Sequence, residues 1–159
     1  MDVEIRDITP ADRPWVGAFL REQFGSTRVV SRGVLRRADE LPGLIADRDG
    51  QAAGLLTYHV AGGALEVVTL HAARPGLGLG TALLDAAQAR GRSLGCGRLW
   101  LITTNDNLPA ARFYERRGMT RVAIHRDAVT EARALKPEIP ETGVGGVPIR
   151  DEIEYELKL

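Results

Sequence analysis

Three glycines at alternate positions stand directly before a helix-like pattern, in the stretch RPGLGLGTALLDAA from Arg74 to Ala87. Gly76, Gly78 and Gly80 remove the Cβ atoms that would keep a ligand away from the backbone. The first turn of a helix has unpaired N–H groups, and the helix dipole makes that end positive. The stretch is therefore typical of a phosphate-binding helix start. A tight turn with close helix–sheet packing explains it equally well.

Two familiar phosphate-binding motifs fit this stretch poorly. A Walker A loop requires Gly-Lys-Ser/Thr, whereas Gly80 is followed directly by Thr81 without a lysine. A dinucleotide fingerprint requires G-x-G-x-x-G after the first strand of a βαβ unit, but the spacing here is G-x-G-x-G after a meander. An enzyme that acts on nucleotide phosphates is thus disfavoured.

The elements that must position the glycines are predicted from periodicity and turn residues. Helices are expected from a Thr9 cap to Gly25, from Leu79 to near Leu94, and from an Asn107 cap to Gly118. Strands are expected at Val3–Ile5, Val29–Val30, on both sides of the Arg48–Gly50 turn, and in ALEVVTLHAA, LWLITT, MTRVAIHR and IEYELKL. This order predicts an α/β (α+β) fold, with a mixed sheet and helices on both faces.

Length and composition limit the classes of function. The chain has 159 residues and a formal net charge of zero, which favours one domain (1–159) and gives no basic field for nucleic acid. The single cysteine, Cys96, excludes an internal disulfide and a Cys-rich zinc site, and no metal is predicted. The segment MDVEIRDITP does not resemble a signal peptide, and no apolar run is long enough for a membrane span, so a cytoplasmic protein is expected.

A second motif, NLPAARFYERRGM, follows the strand LWLITT. Together the two motifs resemble the GNAT superfamily of N-acetyltransferases, in which a Q/R-x-x-G-x-G/A turn precedes an N-x-x-A-x-x-F/L-Y-x-x-x-G-F helix. The matching residues are Gly78, Gly80, Asn107, Ala110, Phe113, Tyr114 and Gly118. Pro75 occupies the Gln/Arg position, with Arg74 one residue early, which removes one backbone donor from the turn. The resemblance covers about residues 64–126.

The resemblance implies a mostly antiparallel sheet of six to seven strands, whose two central parallel strands splay into a V that holds acetyl-CoA. The pyrophosphate would lie on the helix start, and the pantetheine arm along the first of these strands. The cofactor-binding residues that it implies are Leu70, His71, Ala72, Arg74, Gly76, Leu77, Gly78, Leu79, Gly80, Thr81, Asn107 and Arg112. Asn107 as a simple helix cap, and the arginines as solvated charges, are the alternatives.

The resemblance also implies the catalytic residues. Tyr114 would be the general acid that protonates the departing CoA thiolate, and its alternative is a core tyrosine. Glu66, a charged residue inside an apolar strand, would be the base, and its alternative is a solvated acid near a strand end. His59 and His71 are other candidate bases.

The predicted function is transfer of an acetyl group from acetyl-CoA to a primary amine of a small molecule or peptide, directly within a ternary complex. The family's acceptor-binding segments correspond to residues 20–42 and 127–150. A homodimer is consistent with the family. The rival interpretation is a non-catalytic acyl-CoA-binding regulatory module.

Overall fold

The structure, a computed structural model, describes residues 2–74 and 76–159. Its strands are β1 (Val3–Asp7), β2 (Arg28–Ser31), β3 (Val34–Arg37), β4 (Gly43–Arg48), β5 (Gln51–Ala61), β6 (Ala64–Ala72), β7 (Arg98–Thr104), β8 (Thr120–His125) and β9 (Glu152–Lys158). Its α-helices are α1 (Arg13–Phe24), α2 (Leu79–Ser93), α3 (Leu108–Arg116) and α4 (Ala128–Ala132). These bounds confirm the three helices and the principal strands that the sequence predicts.

Seven strands form one sheet in the order β1-β4-β5-β6-β7-β9-β8, and β2 and β3 form a separate hairpin. Within the described residues, β6 and β7 are the parallel pair of the seven-stranded sheet, and its other neighbours are antiparallel. The predicted α/β (α+β) fold with a mixed, mostly antiparallel sheet is confirmed. The turn at Asp49 and Gly50 has positive φ at both residues, as a two-residue hairpin requires.

Helices cover both faces of the sheet. Neighbouring residues of a strand point to opposite faces, so each strand contributes apolar side chains to both. Leu44 and Leu56 pack with α2 in one hydrophobic cluster, whereas Ile45 and Leu55 pack with α1 in the other. The two clusters hold β6 and β7 at the centre of the molecule. The helices on both faces therefore agree with the prediction.

The segment 127–150 is less irregular than its proline and glycine content suggests. It begins with the short helix α4, whose residues Val129 and Ala132 are buried. Farther along, the Asn105 side chain fixes it, since its amide donates to Pro148 O and its carbonyl accepts from Arg150 N. No α-helix of the described part of the chain is both long and apolar enough to cross a bilayer.

Candidate active site

The two parallel strands separate partway along their length. Their pairing runs from Ala64 opposite Arg98 to Val67 opposite Leu101, although β6 continues to Ala72 and β7 to Thr104. A register shift opposite Thr57 and Tyr58 bends β6 at this point. The V that the resemblance implies is therefore present. Beyond Val67, the edge of β6 that had paired with β7 no longer pairs with it.

The three glycines around the start of α2 serve two different structural purposes. Gly76 and Gly78 have φ of 84° and 76°, a left-handed conformation that other residues adopt only with strain. A Cβ added to Gly80 would lie 3.3 Å from Phe113 Cζ, so this glycine allows α3 to approach α2. The tight turn is therefore present, the close packing at Gly80 is between two helices, and phosphate binding at this helix start stays a prediction. The backbone of α2 begins directly at a cavity.

A cavity of about 610 Å³ lies between the start of α2, the outer part of β6 and α3. Ten of the predicted cofactor residues line it: Leu70, His71, Ala72, Arg74, Gly76, Leu77, Gly78, Leu79, Gly80 and Thr81. The remainder of the wall comes from α3 and the residue after it: Ala110, Phe113, Tyr114, Arg116 and Arg117. Its volume falls within the range of about 300–1,000 Å³ that is usual for ligand sites.

The positive charge at this cavity comes from more residues than the sequence analysis named. Arg117 donates from Nε to Thr81 Oγ1 at 2.8 Å, and its guanidinium lies 4.9 Å from the centre of the Phe113 ring. Arg116 also lines the cavity, as does the predicted Arg74. The contact between Arg117 and Thr81 depends on how α2 and α3 pack, so the sequence alone does not reveal it. Three arginine residues therefore line the cavity at which α2 begins, and the guanidinium of Arg117 contacts the first turn of that helix.

Two predicted cofactor residues do not line this cavity. Asn107 caps α3, since its Oδ1 accepts a hydrogen bond of 3.2 Å from Ala110 N. Arg112 is an exposed residue of α3 outside the cavity wall. The missing donor predicted at Pro75 lies outside the described residues.

Tyr114 lies on the α3 side of the cavity with its ring packed between two others. The ring centres of Phe113 and Tyr155 are 5.6 and 5.9 Å from its own. Burial raises the pKa of Tyr114 to about 12. The hydroxyl therefore stays protonated at neutral pH, as a general acid requires.

A second cavity, of about 250 Å³, lies against β6 and β7 on the side of α1. Val67, Val68 and Thr69 of β6 line it, and these residues come immediately before those that line the first cavity. The two predicted acceptor-binding segments meet here: Phe24, Arg28, Val29, Val30 and Ser31 from one, and Val129, Ala132, Lys136 and Ile139 from the other. The two cavities thus adjoin along a single strand.

Glu66 is a wall residue of the second cavity and is only 3% exposed. Burial raises the pKa of its carboxyl, while the Ser31 hydroxyl and the Arg36 guanidinium oppose this effect. Ser31 donates to Glu66 at 2.7 Å, and Arg36 Nε lies 3.5 Å from its other oxygen. A carboxylate held in this way has the raised proton affinity that a general base for an amine needs.

A second buried carboxylate, Glu152, was not identified from the sequence. It lies in the same cavity and is 2% exposed, and Arg32 Nη1 is 3.1 Å from its Oε1. Glu152 directly precedes the predicted strand IEYELKL and shares the alternation of Glu154 and Glu156 along β9. The β2–β3 hairpin covers this end of the strand, and no periodicity of β9 itself could reveal that.

The two histidines occupy different places. His59 lies directly opposite Glu66 on β5, and its positive charge when protonated favours the ionised carboxylate. His71 lines the first cavity beside Phe24, with ring centres 5.3 Å apart, and burial lowers its pKa. Glu66 and His59 are therefore neighbours, whereas His71 is separate from both.

Comparison with known proteins identifies the family of the chain. The sequence profile of the Acetyltransferase (GNAT) family matches residues 5–119. YdhI, an uncharacterized protein of Bacillus subtilis (strain 168), is 39% identical over 138 residues, which are 86% of each of the two chains. The chain belongs to the GNAT family and is an acyltransferase of that type.

Solved structures share the fold at low sequence identity. An IAA acetyltransferase from Bacillus cereus has a TM-score of 0.72 at 18% identity and covers 99% of this chain and 100% of its own. A GNAT family acetyltransferase from Elizabethkingia anophelis, with acetyl-CoA bound, has a TM-score of 0.70 at 16% identity and covers 99% and 98%. These similarities extend over almost the whole chain.

Proposed function

We propose that residues 1–159 form one N-acetyltransferase domain that transfers an acetyl group from acetyl-CoA to the primary amine of a small molecule. The observation that carries the proposal is the meeting of two cavities along β6, one bordered by cations and helix N–H groups and the other by a buried carboxylate. The first suits the donor, and the second suits an amine.

The first cavity has the chemistry that a pyrophosphate with an extended amide arm requires. The N–H groups at the start of α2 and the guanidinium groups of Arg74, Arg116 and Arg117 bind the phosphates. The edge of β6 from Leu70 to Ala72 pairs with the arm as an added strand. Acetyl-CoA supplies an acetyl group activated as a thioester.

The residues of the chain move two protons in this proposal. Glu66 takes a proton from the ammonium, so that the neutral nitrogen attacks the carbonyl carbon and forms the amide bond. The carbon–sulfur bond breaks, and the Tyr114 hydroxyl gives a proton to the sulfur, which leaves as the thiol. The nitrogen, positively charged after the attack, loses its second proton to solvent as the amide forms, and a proton from solvent restores the Tyr114 hydroxyl. A main-chain N–H near Leu70 donates to the carbonyl oxygen while it carries negative charge. Transfer is direct within a ternary complex.

Calorimetry and a turnover assay test the proposal. The protein should bind acetyl-CoA and CoA but not ATP, and it should release free thiol when acetyl-CoA is mixed with an acceptor amine. No affinity for either CoA species contradicts the proposed donor. Binding without thiol release across polyamines, amino acids, aminoglycosides and peptide N-termini would favour the regulatory-module alternative.

A further inference from the structure

The second cavity is polar at two separate places and apolar between them. Glu66 and Glu152 supply carboxylates at one place, and Arg28 and Lys136 supply positive charges at another. Most of the remaining wall is aliphatic or aromatic: Phe24, Val29, Val30, Val68, Ile102, Val129, Ala132 and Ile139. A molecule that fits this cavity needs polar groups at its two ends and an apolar middle.

The charges of the cavity are matched except for one. Three ion pairs satisfy its carboxylates and arginines: Arg36–Glu66, Arg32–Glu152 and Arg28–Glu138. Among the ion pairs of the described residues, Lys136 has no carboxylate partner. Its ammonium donates to the main-chain oxygen of Arg28 at 2.7 Å, which leaves two further N–H donors. Among the described residues, the cavity therefore has one cation that no carboxylate contacts at ion-pair distance, although the Glu138 carboxylate, which pairs with Arg28, lies near enough to raise its pKa.

Lys136 is unusual in this chain for its surroundings as well as its type. The sequence contains two lysines, and the other, Lys158, is exposed at the end of β9. Lys136 is half-buried, and burial lowers its pKa, helped by the charge of Arg28 and opposed by Glu138. A partly buried ammonium without a carboxylate in direct contact is destabilised, and an anion placed beside it relieves that cost.

Both polar places of the second cavity are hydrogen-bonded to residues of β2, so the distance between them follows from the geometry of that strand. Ser31, which donates to Glu66, and Arg28, whose carbonyl holds Lys136, are three residues apart on β2. Three residues of a strand span about 10 Å. After allowance for a hydrogen bond at each end, a chain of a few carbon atoms fits between them.

Resting on the proposed function, we infer that the acceptor is a short amino acid-type molecule, whose amine lies at Glu66 and whose carboxylate pairs with Lys136. The cavity volume of about 250 Å³ lies below the usual range for ligand sites, which favours a free small molecule over a peptide segment. The anion orients the molecule so that its amine points along β6 toward the donor cavity.

Matched acceptors test this assignment. γ-Aminobutyrate is compared with propylamine, and leucine with isoamylamine, because each second compound differs from the first only by loss of the carboxylate. We expect kcat/KM for γ-aminobutyrate to exceed that for propylamine by about 10- to 100-fold, the usual range for one hydrogen-bonded charge pair. The leucine pair should show a smaller ratio, since its amine and carboxylate share one carbon atom.

Variants of Lys136 identify the source of the preference. Lys136→Met keeps the length of the side chain without its charge, and it should bring the γ-aminobutyrate ratio close to one. Lys136→Arg should retain the preference, and the exposed control Lys158→Met should leave both the ratio and the rates unchanged. A ratio near one in the wild type, or a ratio unaltered in Lys136→Met, overturns the inference.

Two further measurements separate this inference from the proposed function. If acetyl-CoA binds and propylamine is acetylated with the same kcat/KM as γ-aminobutyrate, the transferase function stands and the assignment of the acceptor fails. Calorimetric titration of γ-aminobutyrate into the protein without acetyl-CoA measures the charge pair independently of turnover. Intact-mass analysis after incubation with acetyl-CoA checks Lys136 itself, and stoichiometric acetylation there would show that the lysine is an acceptor and overturn its role as an anion partner.

Discussion

Replacement of Tyr114 by phenylalanine removes one hydroxyl from the wall of the donor cavity and little else. The ring is held by Phe113 and Tyr155, with centres 5.6 and 5.9 Å away, and a phenylalanine ring keeps both contacts. Because burial raises the pKa of Tyr114 to about 12, the group that is lost is a protonated hydroxyl at any ordinary assay pH. Tyr114→Phe therefore tests proton donation with little change in packing.

The expected loss of rate follows from the chemistry of the leaving group. A positioned general acid contributes about 10²- to 10⁴-fold to a rate. A thiol with a pKa near that of cysteine, about 8.5, departs fairly well without help, so the lower end of this range applies. We expect kcat to fall about 10²-fold, which corresponds to about 2.7 kcal/mol of transition-state stabilisation. The KM for acetyl-CoA should change little, since the hydroxyl acts as the bond breaks.

Thiol release measured between about pH 6 and 10 is the appropriate assay, because the tyrosine stays protonated over this range. Tyr155→Phe is the matched control: Tyr155 is 1% exposed, donates its hydroxyl to Glu115 at 3.0 Å and lines neither cavity. It should cost about 1 kcal/mol of stability without loss of rate. An unchanged kcat for Tyr114→Phe at every pH, with acetyl-CoA still bound, would refute the assignment of Tyr114 as the acid.

The remaining predictions concern the base, the helix start and the acid stability of the fold. Glu66→Gln should lower kcat/KM about 10²- to 10⁴-fold, because the base is lost. In a pH–rate profile, it should also abolish the fall in rate at low pH, which the wild type should show above the ordinary pKa of glutamate. The control Glu22→Gln, at an exposed residue, should change neither the rate nor the profile. Gly78→Ala should weaken acetyl-CoA binding in calorimetry, because an alanine at a φ of 76° is strained by about 1 kcal/mol and the start of α2 moves to relieve this strain. Gly95→Ala is the control, with a φ of 75° at the far end of α2. It should lose similar stability and keep the affinity for acetyl-CoA. Arg6, together with the Thr9 N–H, holds the pKa of Asp12 well below its ordinary value, so the ionised carboxylate stabilises the native state above about pH 4 and this contribution is lost as the pH falls through the lowered pKa. Asp12→Asn should therefore lower the free energy of unfolding by up to about 1 kcal/mol at neutral pH, and the difference from the wild type should disappear in strong acid; a difference that persists there would contradict this origin.

Most of the fold was predictable because local signals agree with the tertiary structure. The Asp49–Gly50 turn, the cap at Asn107 and the consecutive apolar residues of LWLITT each identify an element that the structure contains. β3 was not predicted, because its sequence VLRR has two arginines and forms a strand through its pairing with β2. The five-residue helix α4 is too short to show a periodic pattern.

The candidate site was less predictable, since its charged walls come from segments that are distant in sequence. The glycine stretch and Glu66 could be singled out because each contrasts with its own neighbours. Arg117 could not, since its place at Thr81 depends on the approach of α3 to Gly80. Glu152 could not either, because the hairpin that buries it contributes Arg32 from 120 residues away in sequence.

The register shift on β6 explains how one strand serves both cavities. Before the shift, the odd-numbered residues Leu65 and Val67 face α2, whereas after it the even-numbered residues Leu70 and Ala72 face α2. The in–out alternation of side chains is therefore displaced by one residue at positions 68 and 69. A strand without this shift would place Leu70 on the side of Glu66. It would also lack the bend at the end of its pairing with β7, and the V would close. The shift therefore keeps Glu66 on the acceptor side while the edge of the same strand faces the donor cavity.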